Sequence, residues 1–353
     1  MHSRLTGLFA GLCVAAVLST STGCASKWAL SVESPAEPPQ WLDQSHIARA
    51  THLATIRGFR ETRTSLANIL KYIVFGGMDE DNTIVNPVAA AIGPDSRLAI
   101  ADVGRSCVHL YIPSEQKYLK IYGDGREELR SPVSAAFDDE SRLYVSDSVN
   151  GAIYVFDPHG APIFSIKKAG NDALLKPTGL SYASGKKILY AVDTLAHKIY
   201  AFNTAGVLLF SFGGPGEQEG QFNFPTHIAT PPDGRLYVTD AMNFRIQVFN
   251  SSGTFLTSFG HHGNGSGDFS MPKGLAVDRA GVIYVVDTLF DNIQLFNLSG
   301  DFLFTIGGRG TGHGEFWLPS GVFLDNQDKL YVCDTYNNRI QLFQIGRKQN
   351  NEN

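Results

Sequence analysis

From residue 87 onward the chain is written in short apolar runs of five or six residues, alternating or fully apolar, separated by glycine-rich and polar breaks. Such runs are the signature of β-strands joined by tight turns. The strings LAIAD, LYVSD, LYAVD, LYVTD, IYVVD and LYVCD end at Asp102, Asp147, Asp193, Asp240, Asp287 and Asp334, with successive spacings of 45, 46, 47, 47 and 47. Ahead of each aspartate, by 15 or 16 residues, stands a proline: Pro87, Pro132, Pro177, Pro225, Pro272 and Pro319. Beginning 5 residues after each aspartate comes a further strand, CVHLY, AIYVF, KIYAF, RIQVF, NIQLF and RIQLF. Most units then close on an apolar strand such as FLTSFG at 255–260 or FLFTIG at 302–307. Four strands per unit cannot bury both faces of their sheet alone, whereas units stacked around an axis cover one another. Six units predict an all-β, six-bladed β-propeller of four-stranded antiparallel blades.

Composition agrees with many turns: 36 of 353 residues are glycine and 11% are aromatic. With 43% hydrophobic and 18% charged residues, the chain is neither disordered nor a polytopic membrane protein in character. A net charge of -5 gives no global attraction to nucleic acid, so no nucleic-acid partner is expected.

The run GEFWLPSGVFLDNQDKLYVCDTYNNRIQLF at 314–343 resembles the NHL repeat, with its glycine-rich approach, Pro, Gly, YVxD, Asn and Arg-Ile-Gln. The resemblance extends over residues 69–346 and is fullest in the last three units; the first three lack the Arg and Gln of the third strand. The final unit stops after RIQLF, while ILKYIVFGG at 69–77 reads as a fourth strand without its first three. An N-terminal strand at 69–77 is therefore expected to complete the sixth blade and close the ring. A polar tail occupies 347–353.

Ahead of the repeats, residues 1–23 have the layout of a secretory signal: His2 and Arg4, the apolar run LTGLFAGLCVAAVLS, then small residues. The Thr22-Gly23-Cys24 sequence resembles the bacterial lipoprotein box, with Ser21 where leucine is usual. That resemblance implies a lipid on Cys24, attachment to the membrane through the anchor alone, and a place in the cell envelope. Ala25 after the cysteine implies an outer-membrane lipoprotein facing the periplasm; without lipidation the chain would be secreted. Residues 24–68 then form a tether and N-terminal segment, Pro-rich at ESPAEPPQW, 33–41, and of mixed period from His46. Cys107 and Cys333 are too few and too far apart for a disulfide framework; they pair only if their blades are neighbours, and otherwise serve as small buried hydrophobes.

The loops leading into the last three prolines, FGGPGEQEGQFNFP, FGHHGNGSGDFSMP and IGGRGTGHGEFWLP, should emerge together on one face. They carry no phosphate-loop Lys and Ser/Thr, and their glycines answer turn geometry. His227, His261, His262 and His313 are expected on that face, and histidine is a frequent metal ligand. The NHL-related amidating lyase holds a channel zinc on histidines from several blades, and His227 in FPTHIA matches such a position. The equivalent residues here are Ala89, Ser134, Gly179, Gly274 and Gly321, which are not ligands. Neither the acidic first-blade residue of calcium-dependent lactonases nor GxSxG nor HExxH is present. The YVxD aspartates read as turn caps, and Arg245 and Arg339 as repeat residues bridging blades. Phe222, Phe224, Phe269, Phe316 and Trp317 recur before the prolines, as core packing between blades; Trp317 is the least typical and the best candidate for an interface. These features point to a non-enzymatic binding or scaffold propeller, without a cofactor, that engages a protein, peptide or glycan on its loop face. The alternative is a metal-dependent hydrolase or lyase with a divalent ion at His227.

Overall fold

Residues 26–42, 48–63 and 82–347 are described by the computed structural model. Six sheets stand around an axis. Blade 1 runs through Pro87–Ile92, Leu98–Asp102, Cys107–Ile112 and Lys117–Ile121; blade 2 spans 132–166, blade 3 177–213, blade 4 225–259 and blade 5 272–306, each in simple antiparallel order. A hairpin of Lys168–Ala169 and Asp172–Ala173 decorates the passage from blade 2 to blade 3.

The burial of each strand follows its distance from the axis. The second strands, such as Leu143–Asp147 and Leu236–Asp240, are buried along their length, because neighbouring blades cover both faces. The outer strand Leu208–Gly213 alternates between half-buried and exposed. One apolar cluster fills each gap between blades, for example Val145, Tyr154 and Phe156 with Leu110 and Ile112 between blades 1 and 2. Phe222, Phe269 and Phe316 are fully buried in three such gaps, as the repeat pattern predicts, whereas Phe224 and Trp317, read with them as packing between blades, are 41 and 40% exposed. Gly213, at φ +96°, turns the chain where an added Cβ would lie 2.6 Å from the Phe222 ring.

Blade 6 consists of Val322–Leu324, Lys329–Asp334 and Arg339–Arg347, and is completed by an N-terminal strand. That strand is Ala48–Arg63, not the 69–77 segment expected from the sequence, which lies outside the described residues. The register runs from Arg347↔Ala48 to Ile340↔Ile56. A bulge explains why the pattern around His46 reads as mixed. Leu342 pairs with Ala54 and Phe343 with His52, so Leu53 is an extra residue; the buried set changes phase from Ala50 and His52 to Thr55 and Ile56. Lys27–Glu33 and Gln40–Leu42 pair in turn with the far edge of this strand. The Pro-rich stretch read as tether is thus partly built into the sheet. Trp41 packs on Phe343 with centroids 5.6 Å apart, and Trp28 meets Tyr118 of blade 1 at 5.0 Å. Cys107 and Cys333 are buried free thiols rather than a disulfide.

Candidate functional site

The six repeat aspartates build one end of the molecule. Each ends a second strand, is fully buried, and receives at least one backbone N–H from the loop entering its own blade: Asp147 from Arg130 and Ser131 at 2.6 and 3.0 Å, Asp193 from Leu175 and Lys176 at 2.7 and 2.9 Å, Asp240 from Asn223 at 2.7 Å and Asp334 from Trp317 at 2.8 Å. Their role is to cap the turns, as the sequence suggests. In blades 4 and 6 the aspartate also receives side chains. Asp334 accepts from Arg339 Nε at 2.7 Å, Gln341 Nε2 at 3.0 Å and Asn337 Nδ2 at 2.9 Å; Asp240 takes the same three from Arg245, Gln247 and Asn243. Arg245 and Arg339 reach on to carbonyls of the inter-blade loop, which is how they tie one blade to the next.

In five blades the turn after the aspartate projects an apolar side chain into solvent. Two positions on, Val149, Leu195, Met242, Leu289 and Tyr336 are exposed by 57, 47, 44, 55 and 54%, and Gly104 holds the place in blade 1. Leu175, Phe224 and Trp317, exposed by 55, 41 and 40%, come from the loops that these aspartates cap. Trp317 lies 5.8 Å from Tyr336, ring to ring. Apolar side chains therefore stud this end of the propeller blade by blade. The signal was in the repeat as a column, SV, TL, AM, TL, TY after the aspartate, which a reading confined to turn formation passes over.

A cavity of about 700 Å³ opens at the opposite end of the axis. Every blade lends it the turn between inner and second strands: Pro94, Asp138, Ser184, Pro232, Asp278 and Asp325. Its carboxylates are committed, since Asp138 accepts from the Glu140 and Arg142 amides and the Arg142 guanidinium, and Asp278 from the Ala280 and Val282 amides and Tyr284.

His227 faces this cavity, on the inner strand Pro225–Ala229, so the four histidines are not brought together as the sequence suggests. Its Nδ1 is buried without a hydrogen-bond partner. Burial, and then the Lys273 ammonium, lower its pKa to about 4, so the ring is neutral at pH 7. His261 is an exposed side chain tied to Asp268 of its own loop at 2.8 Å, and His262 packs on Phe244 at 4.4 Å. His313 lies 5.1 Å from His52 of the closing strand, ring to ring, with the planes tilted. Among the described residues no three His, Cys, Asp or Glu side chains stand close enough to share a metal ion. At His227 the Lys273 ammonium, whose charge helps to lower the ring's pKa, stands against a divalent cation. Cys24 lies outside the described residues, and among those described no helix is long and apolar enough to cross a membrane.

The chain is a six-bladed β-propeller. Residues 227–293 and 280–350 match a family described as a 6-bladed beta-propeller. No curated protein matches the chain by sequence. Among solved structures it is similar to a gluconolactonase of Xanthomonas campestris, 15% identical over 93% of this chain and 99% of that one, with a TM-score of 0.60. It is similar also to virginiamycin B lyase from Staphylococcus aureus, at 13% identity over 74% and 95% with a TM-score of 0.56. A Bacteroides thetaiotaomicron protein of unknown function aligns at 15% identity over 76% and 72%, with a TM-score of 0.58. At these identities the likeness is one of fold, and blades of this kind serve more than one chemistry.

Proposed function

We propose that the protein is a binding or scaffold propeller of the cell envelope, held to the membrane by a lipid on Cys24, that engages a protein partner through the face capped by the repeat aspartates. One observation carries this reading: five of the six blades expose an apolar side chain at the same place, Val149, Leu195, Met242, Leu289 and Tyr336. Scattered apolar residues on a surface mean little, but a set recurring in register on one end is the anatomy of an interface, with Trp317 and Tyr336 as aromatic anchors.

The test is site-specific photo-crosslinking in intact cells, with the crosslinking residue placed at Leu195, Met242 or Leu289 and, for comparison, at Glu140 beside the cavity. A discrete adduct from the first three positions and none from Glu140 is the expected result; adducts from Glu140 alone would overturn the assignment of the face. Cys24→Ser moves the chain from the membrane to the soluble fraction if the anchor is as stated.

The alternative of a metal-dependent hydrolase or lyase retains one favourable observation, the unpartnered Nδ1 of His227 in the cavity. One equivalent of zinc or calcium on the purified chain, lost in His227→Ala, would restore it.

A further inference from the structure

Blade 5 keeps a socket without the side chain that fills it in the blades on either side. In blades 4 and 6 the third strand opens with an arginine whose head group lies in a cage of loop carbonyls. Arg245 donates from Nε to Asp240 at 2.8 Å and from Nη2 to the carbonyls of Gln218 and Gln221 at 2.9 and 3.1 Å. Arg339 donates to Asp334 at 2.7 Å and from Nη2 to the carbonyls of Gly312 and Glu315 at 2.7 and 2.9 Å, with Nη1 on the Thr311 carbonyl at 2.8 Å. The counterpart in blade 5 is Asn292, paired with Asp287 as Arg245 is with Asp240. Phe290 replaces the asparagine that supports the aspartate elsewhere.

The walls nevertheless stand where an arginine would need them. Gln294 accepts from the Gly267 amide at 3.0 Å and donates to the Asp268 carbonyl at 2.7 Å, as Gln247 does with Gly220 and Gln221 at 3.0 and 2.6 Å. The loop carbonyls of Gly265 and Asp268 therefore take the places of those that receive Arg245. A cavity of about 280 Å³ opens between Gly265, Ser266, Phe290, Asn292 and Gln294, several times the roughly 30 Å³ share of one water. Asn292 Oδ1 is buried there with no donor. Asp287 behind it is fully buried, receives backbone N–H groups of Ser270, Met271 and Phe290, and is paired with no arginine among the described residues; burial raises its pKa.

We propose that this socket receives an arginine side chain from the protein partner of the loop face. The inference rests on that face being the partner surface, and the socket lies within it, next to exposed Leu289. The chemistry selects the guest. The cage presents loop carbonyls and the unmet Asn292 Oδ1, with the Asp287 carboxylate buried behind its lining, and a planar guanidinium with five N–H donors satisfies several acceptors at once, whereas a lysine ammonium is a compact, strongly hydrated charge. The guest would do for blade 5 what Arg245 and Arg339 do for their own blades, namely neutralise the aspartate and fasten the loop at 263–268.

The experiment titrates the full chain, held in mild detergent, with acetyl-Gly-Arg-Gly-amide, its lysine counterpart and agmatine, following the backbone amide resonances of Gly265, Gly267 and Asn292. Saturable shifts with the arginine peptide in the millimolar range, at least tenfold weaker with the lysine peptide, are expected. Asn292→Arg fills the socket from within, so it should raise the melting temperature and abolish those shifts. Equal responses to arginine and lysine, or shifts that survive Asn292→Arg, would overturn the socket. Binding of agmatine without binding of the capped peptide would assign it to a free small molecule and overturn the partner side chain. Failure of the crosslinking described above would leave these titrations unaltered, so the two readings fail separately.

Discussion

At the scale of single residues, the same buried carboxylate has a histidine for companion in blade 1, an arginine in blades 4 and 6 and backbone amides in the others, and the companion sets what that residue contributes. Asp102 in blade 1 meets His109 Nε2 at 3.2 Å, with the other ring nitrogen 2.8 Å from Tyr118 Oη and the Cys107 thiol 3.9 Å from Nε2. The order Cys, His, Asp has the look of a nucleophile and its base. Burial, and then Asp102 itself, push the Cys107 thiol up to about 12, and all three side chains are fully buried, so this is a hydrogen-bonded core element. Asp334 stands apart from Asp240 in its arginine, because Arg339 is 2% exposed and cannot find water if its partner goes. Asp334→Ala therefore leaves a buried cation uncompensated and should cost about 3 to 5 kcal/mol in urea unfolding. Asp287→Ala, with no cation to strand, should cost clearly less; equal losses would show that turn capping, not the ion pair, dominates at both.

Among the elements, the strand Ala48–Arg63 has the largest influence on the rest, since it joins the N-terminal part of the chain to the last blade. Deleting residues 48–56 removes the outer strand of blade 6 and uncovers Phe343 and Ile340, which are fully buried. An aggregated product without a cooperative melt is expected, and a monomer melting at the wild-type temperature would contradict the closure. The strand also carries an acid-sensitive residue. Burial first, then His313 and Arg339, lower the pKa of His52 to about 4, below its ordinary 6.5. The unfolded chain then binds the proton more readily than the native one, so this contribution is complete above pH 6.5 and is lost as pH falls toward 4. It amounts to at most about 3 kcal/mol at about 1.4 kcal/mol per pH unit. His52→Gln should flatten the decline of melting temperature between pH 6.5 and pH 4.5. The position of this strand was not legible in the sequence. Leu53 interrupts the alternation, and no repeat column marks a strand supplied from the other end of the chain. The blades themselves were legible because Pro, YVxD and the third strand recur at fixed offsets, and an offset repeated six times overrides the ambiguity of any single run.

The whole molecule has two unlike ends, and sequence position alone does not say which end a side chain serves. His227 follows a loop of one face by two residues, yet each strand residue advances about 3.3 Å, enough to put it in the cavity that opens at the other. The apolar end is the more distinctive of the two. Its side chains that recur in register are apolar, so association through this face should be driven chiefly by apolar burial and only modestly by long-range attraction. Once the partner is isolated by crosslinking, calorimetric titration should give a negative heat-capacity change and an affinity that shifts by less than about tenfold between low and physiological salt. A glutamate at Met242 and another at Leu289 should weaken binding by at least about tenfold, while stability changes by less than about 0.5 kcal/mol per site, as expected of exposed positions outside the core. A steep salt dependence, with affinity indifferent to those two substitutions, would mean that a charged contact governs the complex and that the apolar ring is not its centre.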